Sequence, residues 1–306
     1  MNKEELSRMV AQILASMESP DLSEPEVKGS DYKPRTPMPE TRDAGYADGD
    51  FVPDISALNL RKLYLQEQPA DPDRFRQLKL RTAARLGSGR AGARYKTLTM
   101  LRFRADHAAA QDAVFSQVGP EFAAQNGMEE VQTRCSSKDQ YLTRPDLGRS
   151  FDEVNAEKIR SIAEGSPQVQ IVIGDGLSSA AIAANAMDCC RAIQDGLKLR
   201  GIGCGRPFFV RYCRVGAGDA VGDITGCSLV CVLVGERPGL VTDKSMSAYL
   251  TYAPRTGVSE SSRTVVSNIH AQGTPAVEAG AHIAELCGTI LEKKVSGVGL
   301  HLEEPL

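Results

Sequence analysis

The chain has 306 residues, 42% of them hydrophobic and 25% charged, and its formal net charge is −3. This is the composition of an ordinary soluble protein long enough for about two domains, and a charge so close to zero gives no indication of nucleic-acid binding. No apolar run approaches the roughly 18 residues of a membrane-spanning helix, and no signal-peptide core follows the first methionine. The eight cysteines form no CxxC pair, which predicts reduced, mostly buried thiols in a cytoplasmic protein without a metal site.

Residues 1–50 predict a short amphipathic helix on a disordered tether. Apolar residues recur there at helical spacing, at Leu6, Met9, Val10, Ile13, Leu14 and Met17. Residues 18–50 contain five prolines, many acids and few apolar side chains, a composition typical of a disordered linker. The helix could fold back on the core or dock on another protein, and the residues themselves favour neither.

Residues 51–160 are expected to form a mainly helical domain with a strongly basic stretch. Residues 74–104 contain ten lysines and arginines and no acid. Such a block is most often neutralised by acids of its own domain, but it could also bind phosphate groups or an acidic partner. The loop GSGRAGAR at 87–94 lies within it and does not match the GxxxxGK[ST] phosphate loop.

Residues 161–306 alternate strand and helix patterns and predict a doubly wound, Rossmann-like α/β domain with a mostly parallel sheet. Strand-like runs lie at 169–173, 208–212, 228–234, 247–252 and 263–267. The run at 228–234 is apolar on both faces, as expected of a strand covered by helices on each side. Ser178 can cap a helix over 179–199, and Thr274 with Pro275 can begin the last helix. Ser179 stands where a dinucleotide-binding loop has its third glycine, so NAD binding is not expected.

Two of these strands end in polar turns, and their shared edge is the predicted ligand site. The turns are Arg214-Val215-Gly216 and Gly235-Glu236-Arg237. In open α/β sheets ligands bind outside the carboxyl ends of the strands. We therefore expect the two turns to lie side by side at the edge that binds a ligand. The residues alone favour an ion pair of Glu236 with Arg237 or another arginine.

No catalytic residue is predicted. The chain has no GxSxG or HExxH motif and no paired cysteine and histidine. His270, in NIHAQG, differs by one residue from the DxHxxG pattern of domains that supply a histidine to cobalt, but Asn268 stands where a carboxylate would orient the ring. We therefore expect His270 to be a loop residue without a metal bond.

Seven short segments carry a family resemblance. They are GRAGAR (89–94), LRFRADHA (101–108), YLTRPDLGR (141–149), IVIGDGLS (171–178), PFFVRYCRV (207–215), LVGERPGL (233–240) and SNIHAQGTPAVEA (267–279). Together they resemble the small (light) subunit of ethanolamine ammonia-lyase, an adenosylcobalamin-dependent enzyme, over most of the chain after residue 80.

The resemblance implies a function, a partner and a cofactor. In this family a large subunit holds the substrate and the radical chemistry, and the small subunit helps to bind base-on adenosylcobalamin. The hetero-oligomer converts ethanolamine to acetaldehyde and ammonia. The implied cofactor-binding residues are Val215, Glu236 and Val265, the last standing where the family often has cysteine, with Arg214, Gly235 and Arg237 as neighbouring candidates. No catalytic or metal-binding residue is implied for this subunit.

The resemblance also gives the N-terminal helix an interpretation. Ethanolamine-using bacteria often house this enzyme in a protein-shelled microcompartment, and short N-terminal helices on linkers are typical cargo signals. We therefore expect a cytoplasmic, microcompartment location, with the first 20 residues binding the shell. Two alternatives stay open: a scaffold subunit of the same complex without a cofactor role, and a self-sufficient nucleotide-dependent enzyme. The missing dinucleotide loop and the absent nucleophile argue against the second.

Overall fold

The structure is a computed structural model, and it describes residues 54–300 apart from 56–57, 60–61, 63, 67–68, 83 and 164. The predicted helix and linker at 1–50, and His301, lie outside the described residues. The helices of the described part are α1 (Pro72–Leu80), α2 (Thr97–Phe115), α3 (Phe122–Gln125), α4 (Lys138–Thr143), α5 (Glu153–Ala163), α6 (Ser179–Leu199), α7 (Ala217–Thr225) and α8 (Ala276–Lys293). The strands are β1 (Arg90–Ala91), β2 (Arg94–Tyr95), β3 (Glu130–Gln132), β4 (Val169–Asp175), β5 (Phe208–Arg211), β6 (Leu229–Gly235), β7 (Met246–Tyr252) and β8 (Arg263–Ile269).

One mixed sheet of six strands organises these elements, in the order β3-β5-β4-β6-β7-β8. The first four strands are mutually parallel, β7 is antiparallel to β6, and β8 is antiparallel to β7. The expected α/β class is confirmed, and the sheet is mixed because the connections 236–245 and 253–262 contain no α-helix. Parallel neighbours need a longer crossover, which is usually helical. Strand β3 comes from the stretch expected to be mainly helical.

Two hydrophobic cores cover the centre of the sheet. Every residue of β4 and β6 is buried, as the run apolar on both faces predicted. On one face Leu229, Cys231 and Leu233 pack against α6 and α8. On the other face Val230, Val232 and Val234 pack against α5 and α7. Burial of these side chains is the main source of the fold's stability, at about 25 cal/mol per Å² of apolar area.

Two helix starts test the capping predictions. Ser178 caps α6 as predicted, and its Oγ accepts a hydrogen bond from the N–H of Ala181 at 3.0 Å. The predicted start of the last helix is wrong, because Pro275 is the N-cap and α8 begins at Ala276. Thr274 is held outside the helix by main-chain hydrogen bonds with Asn268 and His270, of 2.9 and 3.1 Å.

The second face of the sheet is only partly covered over β7 and β8. On the first face Met246, Ala248 and Leu250 have no exposed area, because that face is covered. On the second face Tyr249 is only half-buried, and Val265, its cross-strand neighbour on β8, is 44% exposed. On this side α7 covers the end of the two strands at Thr251 and Arg263, through Asp219, and leaves Tyr249, Val265 and Ser267 accessible. We call these three residues the open face.

The predicted state of the cysteines is confirmed. All eight are free of disulfides, and only Cys204 is partly exposed. Burial raises the pKa values of the Cys189, Cys190 and Cys287 thiols to about 12. These thiols are therefore protonated, unreactive hydrophobic groups at neutral pH. In the part of the chain that the structure covers, no helix combines the length and the apolar character needed to cross a membrane.

The basic stretch at 74–104 divides into paired and exposed residues. Arg85 and Arg102 both bind the carboxylate of Asp106, at 2.7 and 2.9 Å, as expected if acids of the same domain neutralise the block. Arg85 also donates a hydrogen bond to the carbonyl of Leu240. A second group of arginines is exposed on α1, the β1–β2 hairpin and α2, namely Arg74, Arg81, Arg94 and Arg104. The hypothesis that the basic stretch binds an acidic partner therefore concerns these exposed arginines and not Arg85 or Arg102.

Candidate functional site

The structure places the two predicted turns at one edge of the sheet. Val215 follows β5 and Glu236 follows β6, and the carboxyl ends of these parallel strands share that edge. The two turns are not side by side, because β4 lies between β5 and β6. Val215 nevertheless packs on the same core as Val232 and Val234, which puts it on the second face of the sheet.

Glu236 is held by neutral donors. Its Oε1 accepts hydrogen bonds from the Ser247 hydroxyl at 2.6 Å and from the Asn268 N–H at 2.8 Å. The Ser247 hydroxyl lies 3.0 Å from that of Ser267, so the cluster continues onto the open face. No arginine or lysine among the described residues forms an ion pair with Glu236, so the favoured pairing with Arg237 is wrong.

The pKa of Glu236 is lowered from its usual value. Burial acts to raise the pKa, but the hydrogen bonds from Asn268 and Ser247 stabilise the charged form and outweigh it. Glu236 is therefore an anion at neutral pH. The Ser245 hydroxyl also contributes to the lowered pKa. A carboxylate has about four acceptor sites, more than these donors use, so Glu236 keeps acceptor capacity beside the open face.

Val265 shares the open face with Tyr249. The two residues are direct partners in the β7–β8 register, and direct partners project to the same side of a sheet. Tyr249 in turn pairs with Val232 of β6, whose side chain packs in the core of the second face. Val215, Glu236 and Val265, predicted from three distant segments, therefore come to one side of the molecule.

Arg214 is a structural residue that joins two of the sequence motifs. Its guanidinium lies over the ring of Tyr141, 4.3 Å from the centroid, and donates a hydrogen bond to the Tyr141 carbonyl at 2.6 Å. The Cβ of any side chain at Gly148 would lie 2.7 Å from Arg214 Cγ, so a glycine is required there. The segment 141–149 thus packs directly beneath the turn that carries Val215.

Gly235 and Arg237 have different surroundings from Glu236. A Cβ at Gly235 would collide with the main chain at Ser178, so this glycine lets the β6 turn approach the start of α6. Arg237 is exposed and lines an apolar groove of about 410 Å³ that its own turn forms with residues of α2, including Phe115. Arg237 is therefore directed away from the cluster around Glu236.

His270 follows β8, and its ring nitrogens are both used within the protein. Nδ1 accepts a hydrogen bond from the Gln272 N–H at 3.3 Å, so Nε2 carries the proton and donates to Asn268 Oδ1 at 2.8 Å. No group of three potential metal-binding side chains occurs among the described residues. The ring supports the turn that presents the Asn268 N–H to Glu236.

Sequence reasoning missed Ser247, Tyr249 and Ser267. Ser247 and Tyr249 alternate along β7, and an alternation of polar and apolar residues in a predicted strand was the available indication of a half-exposed face. The run at 247–252 was identified as a strand, but its exposed side could not be assigned without knowing which neighbours lack a covering helix.

The fold and this face define an α/β protein with a candidate binding face at the carboxyl edge of its sheet. The chain belongs to the ethanolamine ammonia-lyase light chain (EutC) family, whose model matches residues 72–301. It is 51% identical over 301 residues to the ethanolamine ammonia-lyase small subunit of Clostridium perfringens, across 98% of this chain and 100% of the relative. The small subunit of Clostridioides difficile is 56% identical across 81% of this chain and 85% of the relative, and that of Listeria monocytogenes is 48% identical across 98% and 100%.

Proposed function

We propose that this chain acts with a large subunit in an ethanolamine ammonia-lyase that converts ethanolamine to acetaldehyde and ammonia. Within that complex it helps to bind base-on adenosylcobalamin on the open face. Family membership and the near full-length similarity to small subunits support the first part. The convergence of Val215, Glu236 and Val265 on one side of the sheet is the observation that supports the second.

The residues present fit such a cofactor. A corrin is a broad macrocycle whose edge carries primary amide side chains and whose faces are apolar. Tyr249 and Val265 provide exposed apolar area on a flat sheet surface, and Val215 lies half-buried on the same side. Glu236 offers a charged acceptor to an amide N–H at the rim. Val265, where the family often has cysteine, needs only a van der Waals contact to serve this role.

The contribution of this chain is binding and orientation. When bound, adenosylcobalamin supplies the radical for the reaction. Glu236, whose carboxylate is oriented by Ser247 and Asn268, would accept a hydrogen bond from an amide of the cofactor. The ring of Tyr249 and the methyl groups of Val265 would exclude water from the apolar contact. Substrate and reacting groups belong to the large subunit.

Co-expression with a large subunit tests the proposal. Ethanolamine deamination should require both chains and adenosylcobalamin, and the isolated chain should release no ammonia. In a cofactor titration of the complex, Glu236→Gln should lower affinity by roughly tenfold to a hundredfold, as expected for a hydrogen bond to a charged group. Val265→Cys and the exposed control Glu278→Gln should stay near wild type. Assembly and activity with an unchanged half-saturation in Glu236→Gln would support a scaffold role instead.

Association with a microcompartment shell through the first 20 residues is a separate part of the proposal. The apolar stripe from Leu6 to Met17 supports it. Deleting residues 1–40 should leave deaminase activity of the complex near wild type and abolish recovery with shells. Loss of activity in a soluble truncated complex would show that the segment belongs to the catalytic assembly.

A further inference from the structure

We propose that Glu236 makes this face selective for the primary amides of a corrin's edge, and that it rejects a corrin whose facing amide has become a carboxylate. The inference rests on the proposed cobalamin-binding function. It goes beyond that function by naming the chemical group that the site distinguishes.

The position of the Glu236 carboxylate is fixed before any ligand binds. Ser247, which donates to Oε1, is 1% exposed within β7. The second donor is the main-chain N–H of Asn268, whose φ of 63° is held by the hydrogen bond between its side chain and His270. Two anchoring donors fix the orientation of the carboxylate, so its remaining acceptor capacity has a fixed position beside the open face.

Among the residues that the structure describes, no lysine or arginine is paired with Glu236. Arg149 lies against Gly216, in the turn that carries Val215. Arg237 lines the groove on the α2 side. Arg263, on the same face of β8, is bound at 2.8 Å by both oxygens of Asp219 and also by Glu260. The ring of His270 is buried and directed at Asn268. A ligand carboxylate beside Glu236 would therefore meet an anion that is not paired with a lysine or arginine of the described chain.

A ligand amide and a ligand carboxylate of the same shape interact with the Glu236 carboxylate in two different ways. The amide nitrogen donates two hydrogen bonds, whereas an ionised carboxylate only accepts. A like charge in direct contact with the Glu236 carboxylate weakens binding, while an amide N–H beside that anion strengthens it. The lowered pKa of Glu236 keeps the site anionic at neutral pH, so the contrast persists under ordinary conditions.

The test compares cyanocobalamin with its b-, d- and e-monocarboxylic acids, each of which has one propionamide converted to carboxylate. Dissociation constants would be measured by equilibrium dialysis against the assembled complex of this chain and a large subunit, at pH 7 and constant ionic strength. We expect one isomer to bind at least about tenfold more weakly than the other two. Monoacids that all bind within about threefold of one another would overturn the inference.

Variants connect the selectivity to Glu236. In Glu236→Gln, intact cyanocobalamin should bind more weakly, but the gap between the disfavoured isomer and the other two should shrink to about threefold or less. Glu278→Gln removes the same charge from an exposed position on α8 and should preserve the full gap. A gap that survives in Glu236→Gln would assign the selectivity to another residue and overturn the inference. Failure of the proposed function looks different, since intact cyanocobalamin would then not bind the wild-type complex.

Discussion

The carboxylate of Glu236 accepts a hydrogen bond from the main-chain N–H of Asn268 at 2.8 Å, and this bond joins the ends of two strands that are not neighbours. Glu236 follows β6 and Asn268 lies in β8, with β7 between them in the sheet. The same carboxylate oxygen binds Ser247 of β7, so one side chain ties three strand ends together. This tie gives Glu236 a structural role in addition to the proposed role in binding.

The hydrogen bonds of Glu236 to Ser247 and Asn268 should make the folding stability depend on pH. A carboxylate with a lowered folded pKa stabilises the fold above its unfolded pKa, roughly 4.3 for glutamate, and the contribution is lost as the pH falls through the folded pKa. At pH 7 Glu236→Gln should be less stable than wild type by about 1 kcal/mol, and the difference should diminish toward about pH 3. Urea unfolding of the full chain at several pH values measures this. A constant difference would contradict it.

The buried pair of Asp219 on α7 and Arg263 on β8 should be far more sensitive to mutation than exposed pairs. Both carboxylate oxygens bind the guanidinium at 2.8 Å, and the Arg263 side chain is 3% exposed. Asp219→Ala leaves a buried charge and should cost about 3–5 kcal/mol in denaturant unfolding. The matched control is Glu153→Ala, which removes an exposed partner of Arg160 and should cost less than about 1 kcal/mol. Equal effects would show that Glu260, the other acid bound to Arg263, or solvent is sufficient to stabilise the guanidinium.

Close packing of α6 and α8 depends on Gly280. A Cβ there would lie 2.6 Å from both the Ala192 Cβ and the Cys189 carbonyl oxygen. Gly280→Ala should therefore lower the unfolding free energy by about 1–3 kcal/mol, because the helices must separate. A Cβ at Gly288, on the same helix, would make only ordinary van der Waals contacts, the nearest at 3.7 Å to the Ile202 side chain. Gly288→Ala should be neutral or stabilising by up to about 1 kcal/mol, since alanine favours helix. The thermal unfolding midpoints of both variants, compared with wild type, measure these changes in stability.

Alkaline pH should destabilise the chain through its buried thiols. Burial raises the pKa values of Cys189, Cys190 and Cys287 to about 12, above the roughly 8.5 of an unfolded cysteine. Groups with a raised folded pKa contribute stability below the unfolded pKa and lose it as the pH rises. For each protein, the thermal midpoint at pH 8.5 to 11 would be compared with its own value at pH 7. The midpoint should fall by more in wild type than in the double variant Cys189→Ala/Cys287→Ala. Parallel curves would contradict the burial argument.

The exposed arginines should contribute to assembly with the large subunit. Arg81, Arg94 and Arg104 are exposed, and no acid among the described residues pairs with them. Attraction between exposed charges is screened within about 10 Å at 0.1 M salt, so the affinity for the large subunit should fall as salt rises. Arg94→Ala should weaken assembly a few-fold and flatten the salt dependence, whereas Lys198→Ala on α6 should do neither. Analytical ultracentrifugation of the mixed subunits at several salt concentrations is the measurement.

Local patterns predicted much of the fold. The apolar run at 228–234 became the fully buried β6, and Ser178 capped α6 at the predicted residue. These predictions succeeded because a strand covered on both faces and a helix cap each follow from a few neighbouring residues. Strand β3 was missed because its three residues, paired with β5, carry too short a pattern to stand out from a helical region.

The amino-acid sequence by itself therefore determined the α/β class and the burial of the cysteines, and the family resemblance of its segments supplied the candidate positions Val215, Glu236 and Val265. Only the tertiary structure decided that β4 lies between β5 and β6, and that α7 covers Arg263 on β8 but leaves Tyr249 and Val265 accessible. It also decided that Glu236 binds Ser247 and Asn268, 11 and 32 residues away, and not an arginine. The physical reason is that strand order and hydrogen-bond partners depend on contacts between segments far apart in the chain, and no local pattern encodes those contacts.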